Sequence, residues 1–194
     1  MPATPSHPFL PPSRPRHAVA ARSLALAGAV LAAAAVTSCG PSDDKFPPAC
    51  PALSLLQDGG DLTRFVSGGH DVTDMVLHAH IAGVPAKCAT VDAHKVRAKL
   101  TEQADFTRGP AARDRRLQAG YFIALTEDGK VLQEQDFPLA VTFAPNVDRM
   151  NVSGDEIELL LPVSKTKSAA AYHIYVGFRL SQDQLAYNRA HPEP

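Results

Sequence analysis

These 194 residues contain no tryptophan and only three cysteines. They also lack any apolar run near the roughly 20 residues a membrane-spanning helix needs. The one uncharged apolar stretch, Ser23 to Val36, holds 14 residues, which excludes a transmembrane helix there. There is no excess of positive charge: 19 Lys+Arg stand against 20 Asp+Glu. Nothing in that balance draws the chain to nucleic acid or to anionic lipid. Catalytic motifs are missing as well. No Gly-x-Ser-x-Gly elbow, His-Glu-x-x-His pair, phosphate loop or dinucleotide fingerprint is present. The paired carboxylates Asp155-Glu156 fall at a turn, where solvation accounts for them. No internal repeat is visible. The residues therefore point to a non-enzymatic protein without a cofactor.

What is present begins with the first 38 residues. Residues 1–22 are polar, rich in Pro and Ala, and carry Arg14, Arg16 and Arg22 without an acidic residue. The apolar run follows, with the length of a signal h-region, and ends in Val36-Thr37-Ser38-Cys39-Gly40. An aliphatic residue, two small residues and then cysteine resemble the bacterial lipobox. That resemblance implies a signal peptide over residues 1–38, cleavage before Cys39, and a Cys39 carrying acyl chains such as palmitate. Two or more chains hold a protein on a membrane essentially for good, because each buried methylene contributes about 0.8 kcal/mol. No Arg-Arg pair precedes the run, which favours the general secretory route. Gly40 stands at +2 where an inner-membrane lipoprotein resembling this one would carry Asp. The expected location is thus the cell envelope, at the outer membrane and facing the periplasm. Losing three arginines takes the net charge from −1 to −4.

Residues 39–51 read as a tether. Pro41, Pro47, Pro48 and Pro51, with Ser42, Asp43, Asp44 and Lys45, cannot pack a core. Extended at about 3 Å per residue, they reach roughly 35 Å. That distance suits a protein partner in the same membrane. With Cys39 assigned to lipid, Cys50 and Cys88 form an even pair in an exported chain and read as a disulfide.

Residues 52–194 form the expected domain. Period-two alternation recurs in Met75–Ile81, Val96–Leu100, Tyr121–Leu125, Phe137–Phe143, Ile157–Leu161 and Tyr172–Leu180. Asp128-Gly129 between two such runs is a hairpin signal. With a short strand near Ala86–Val91, about seven strands are expected, in an all-β antiparallel sandwich of immunoglobulin or fibronectin type. The missing tryptophan excludes the strand-C Trp of true immunoglobulin domains. Ser181-Gln182-Asp183-Gln184 resembles a capping box for a short C-terminal helix before Pro192. Residues 52–70 are ambiguous: the pattern allows a strand over Leu53–Leu56 and a helical turn over Asp61–Val66.

Four clusters carry possible chemistry. His78 and His80 are two apart, so on a strand they share a face; with His70 they are candidate metal ligands, since imidazole suits Zn or Cu. The plainer reading is two polar side chains on a solvated strand face. Asp58, Asp61, His70, Asp71 and Asp74 crowd a Gly-rich segment, where Ca²⁺ is conceivable, although turn chemistry explains Gly-Asp clusters. Arg108, Arg113, Arg115 and Arg116 form a basic patch able to grip an acidic partner or phosphates, or simply a solvated loop. Tyr172, Tyr175 and Tyr187 offer a docking surface, or core. The mature domain is similar to lipoproteins of Gram-negative bacteria with no assigned activity, which implies location and no chemistry. The sequence thus points to a lipid-anchored periplasmic accessory protein with an envelope protein partner, or alternatively to a periplasmic metal- or small-ligand-binding module.

Overall fold

Alternation of apolar and polar residues becomes strand after strand in the computed structural model, which describes residues 48–192. Among these residues the elements are β1 (Ala52–Leu55), β2 (Asp61–Phe65), β3 (Met75–Gly83), β4 (Ala86–Asp92), β5 (Lys95–Leu100) and β6 (Gln103–Arg108). They continue as β7 (Arg116–Glu127), β8 (Lys130–Thr142), β9 (Arg149–Ser153), β10 (Ile157–Pro162), β11 (Tyr172–Phe178) and the helix α1 (Gln182–Ala190). The protein is mostly β, with this one short α-helix at its C-terminal end among the described residues.

The strands form three sheets, ordered β1-β11-β7-β8, β10-β5-β4 and β2-β3-β6-β9. Every pairing is antiparallel except β1 with β11, which is parallel. One face of each sheet feeds a single buried cluster. Strand β3 sends Leu77, Ala79 and Ile81 inward. From β7 come Leu117, Ala119, Tyr121, Ile123 and Leu125; from β11 come Tyr172, Ile174, Val176 and Phe178. On β3 the alternate residues His78 and His80 are half-buried, whereas Ala124 and Thr126 of β7 and Gly177 of β11 are buried as well, so a one-residue slip in β3 would exchange core for surface.

The β7–β8 hairpin turns through Asp128 and Gly129, both at positive φ (48° and 73°), the backbone a two-residue hairpin turn requires. The Cys50–Cys88 disulfide is present, with Cα atoms 5.7 Å apart. It joins the segment entering β1 to β4, which belongs to a different sheet. Ser181 caps α1: its hydroxyl accepts from the Gln184 amide while the Gln184 side chain accepts from the Ser181 amide. The helix packs on β2 through Asn188, whose side-chain amide donates to the carbonyls of Asp58 and Asp61 at 2.8 Å each.

Two expectations need correcting. Asp61–Phe65 is not a helical turn but strand β2, paired with β3 from Asp61↔His80 to Phe65↔Met75. Eleven strands stand among the described residues where about seven were expected. Beyond β1, where Leu53–Leu56 already suggested a strand, the additional strands are short: β2, β6 and β9 are five or six residues long. Their apolar patterns are too brief to read alone, and cross-strand pairing selects them.

Candidate functional site

The outward face of the β2-β3-β6-β9 sheet gathers most of the polar side chains able to act together. Because side chains alternate, His78 and His80 leave β3 on the face opposite Leu77, Ala79 and Ile81. Register then builds two rows across the sheet. One runs Thr63, His78, Thr107, Arg149; the other runs Asp61, His80, Asp105, Asn151. A cavity of about 550 Å³ lies over this face, lined by His78, His80, Asp105, Thr107, Arg149 and Asn151 with Phe106 and Met150. A smaller one of about 250 Å³, bounded by Tyr187 and Asn188 of α1 and by His191 just after it, shares His78 with it.

The two imidazoles are held at the same ring atom. His80 Nδ1 lies 2.6 Å from Asp61 Oδ1. A carboxylate only accepts, so Nδ1 carries the proton there. His78 Nδ1 lies 3.0 Å from the hydroxyl of Thr63, a buried residue. Asp105 accepts from the Asn151 side-chain amide at 3.0 Å. Arg149 is exposed and makes no ion pair among the described residues.

His70 is not part of this group. Its ring lies 5.9 Å from that of Phe65, beside a separate groove lined by Ser181 and Tyr187. Among the described residues no three His, Cys, Asp or Glu side chains converge as a metal-ligand set. The acidic cluster also disperses: Asp58 pairs with Arg189 at 3.3 Å, Asp61 serves His80, and Asp71 precedes a short 3-10 turn that includes Asp74. In the basic loop, Arg108 is spent on structure. Its guanidinium donates to the carbonyls of Ala112 and Asp114 and pairs with Asp148 at 3.6 Å. Arg113, Arg115 and Arg116 are left exposed. Tyr172 is buried and donates to the Pro162 carbonyl, whereas Tyr175 stacks on His173 with centroids 4.3 Å apart. The lipobox Val36-Thr37-Ser38-Cys39, and the leader and tether up to residue 47, lie outside the described residues.

The chain does contain a Ser-x-x-Lys spacing, Ser164-Lys165-Thr166-Lys167, which corrects the expectation that it has none. It closes a tight turn through the Ser164↔Lys167 bridge. Hydrogen bonds to Glu127 and then Tyr172 hold the Lys167 ammonium above its ordinary range, the wrong direction for a general base.

A second unforeseen residue is Glu102, between β5 and β6. It is 0% exposed, and neither carboxyl oxygen has a hydrogen-bond partner among the described residues. Burial pushes its pKa up to about 7. Tyr121 is pushed up to about 12, first by burial and then by the charges of Glu102 and Asp155. A lone Glu at a strand junction gives no sequence signal of burial; only the two chain crossings beside it create that environment.

No family model matches this chain, no curated protein matches it, and no solved structure matches it.

Proposed function

We propose that this protein is a lipid-anchored accessory module of the bacterial envelope. Acylated at Cys39 and facing the periplasm from the outer membrane, it presents a β domain to a partner in the same membrane and catalyses no reaction. The observation that carries this reading is the Cys50–Cys88 disulfide. Structural disulfides persist in oxidising compartments, the setting that the signal-like leader implies. The bridge also fixes the domain at the far end of a short tether, which would limit its reach to roughly 35 Å from the lipid. The sheets packed around one core support a β-sandwich reading, with the immunoglobulin- or fibronectin-like type as its proposed form, a scaffold that offers edge strands and loops for docking. Arg113, Arg115 and Arg116 form the exposed basic loop that an acidic partner surface would meet.

Labelling cells with a radioactive fatty acid tests the anchor. The parent chain takes up label and fractionates with membranes; Cys39→Ala does neither and is released. Label retained in Cys39→Ala would sink the reading. Cross-linking in native membranes, followed by mass spectrometry, then identifies the partner.

A second reading rests on the cavity over the His78/His80 face. Its size is within the range of small-ligand sites, and its lining offers donors, acceptors and two imidazoles. In this reading the domain binds a small polar ligand or metal in the periplasm.

A further inference from the structure

We propose that His78 and His80 bind a divalent transition metal through their Nε2 atoms, on a site preorganised by Thr63 and Asp61. This rests on the second reading above, that the face receives a ligand, and names the ligand's class. Ligating histidines characteristically donate their other ring nitrogen to a carboxylate or an oxygen acceptor, which fixes tautomer and ring plane. That arrangement is present at His80, and at His78 the Thr63 hydroxyl is placed to accept in the same way. Asp61 takes the Nδ1 proton of His80 at 2.6 Å, and the Thr63 hydroxyl stands 3.0 Å from Nδ1 of His78. Neither Nε2 makes a protein hydrogen bond among the described residues. Both side chains border the same cavity.

Two residues apart on one strand, the imidazoles rise side by side, roughly 7 Å apart at their Cα atoms. The proposed ion sits between the two Nε2 atoms. Asp105 stands opposite His80 in register, with Oδ1 accepting from Asn151, and adds negative charge beside the imidazoles. The remaining coordination positions open onto the cavity and are left to water or to a ligand. Imidazole donors select Cu, Ni and Zn over Mg or Ca, and Cu²⁺ is bound most tightly of these.

Cu²⁺ alone is the probe, added to the full chain purified in detergent without a polyhistidine tag. Calorimetry is expected to show about one equivalent bound, with Cu²⁺ favoured over Zn²⁺. Electron paramagnetic resonance should show two equatorial imidazole nitrogens. His78→Ala and His80→Ala should each leave one nitrogen and weaken binding by about 100-fold or more, whereas Asp61→Asn should keep both nitrogens and weaken it by about 10- to 100-fold. His70→Ala and His191→Ala should bind as the parent does. Circular dichroism confirms that each variant is folded; the altered residues are on the outward face, away from the core. The inference is overturned if the parent binds no Cu²⁺, if binding survives loss of both histidines, or if Asp61→Asn binds as tightly as the parent. A parallel amide NMR titration with sugars, amino acids and inorganic phosphate separates this inference from the reading beneath it. Shifts at β3 and β6 without copper binding would overturn the metal and keep the ligand face. No shift from any of these, with no copper bound, would overturn both.

Discussion

Glu102 is the residue whose chemistry conflicts most with its surroundings. Its carboxyl is enclosed without a hydrogen-bond partner among the described residues, beside the Tyr121 hydroxyl at the Gly154 turn. Burying an unpaired charge is costly, so the folded state holds the proton more tightly than the unfolded chain does. The folded pKa near 7 exceeds the ordinary value of 4.5. The stability linked to this proton is therefore fully present below pH 4.5, falls as the pH rises to about 7, and is flat above that. Removing the ionisable group should flatten the slope. In urea unfolding across a pH series, Glu102→Gln is expected to exceed the parent at pH 8 by up to about 3 kcal/mol and to lie within about 1 kcal/mol of it at pH 4. Parallel profiles for the two proteins would show that Glu102 is not the titrating group.

Among the elements, α1 is the most separable. It is nine residues long, too short to be stable alone. Its position rests on a capping box and on Asn188, a buried side chain that bridges two carbonyls of the segment leading into β2. Tyr187 adds an edge contact with Phe65, centroids 5.0 Å apart. Replacing Asn188 by Ala leaves both carbonyls without that donor and should cost about 1–3 kcal/mol. Because the helix lies at the chain end, the loss should appear as local release more than as global unfolding. Limited proteolysis would then cut within residues 182–190 of Asn188→Ala while the sheets stay intact. Ser181→Ala should cost about 1 kcal/mol and act in the same direction. Equal protease resistance in parent and Asn188→Ala would mean the helix is held by its apolar contacts instead.

At the scale of the whole molecule, the disulfide is the covalent cross-link among the described residues. It spans a sequence separation of 38 and joins β4 to the segment before β1. In the chain-entropy account a loop of that length contributes about 4 kcal/mol by restricting the unfolded state. Reduction, or the double change Cys50→Ser and Cys88→Ser, should lower the urea midpoint accordingly with little change in the far-ultraviolet β spectrum. Thiol titration of oxidised protein should find neither cysteine reactive until it is unfolded and reduced. Prompt reaction of both would mean that the bridge does not form.

The sequence by itself determined what depends on local covalent chemistry and on periodicity. The long alternating runs of β3, β7, β10 and β11, the Asp128-Gly129 turn and the capping box at Ser181 were all legible, because each carries its own signal within a few residues. The Cys50–Cys88 pair was legible by counting. His78 and His80 were placed on one face by their spacing alone. Tertiary structure decided the rest. Short β2, β6 and β9 owe their existence to partners distant in sequence, which no local pattern encodes. Because β2 pairs with β3, Asp61 and Thr63 reach the two imidazoles from 19 and 15 residues away, and His70 is excluded although it is nearer in sequence to His78 than either. Burial of Glu102 likewise arises where two connections between sheets run side by side, with the Gly154 amide donating to the Glu102 carbonyl at 2.9 Å. A side chain's type and spacing are written in the chain, but its neighbours across a sheet depend on strand pairing, and pairing is settled by the burial of all the strands at once.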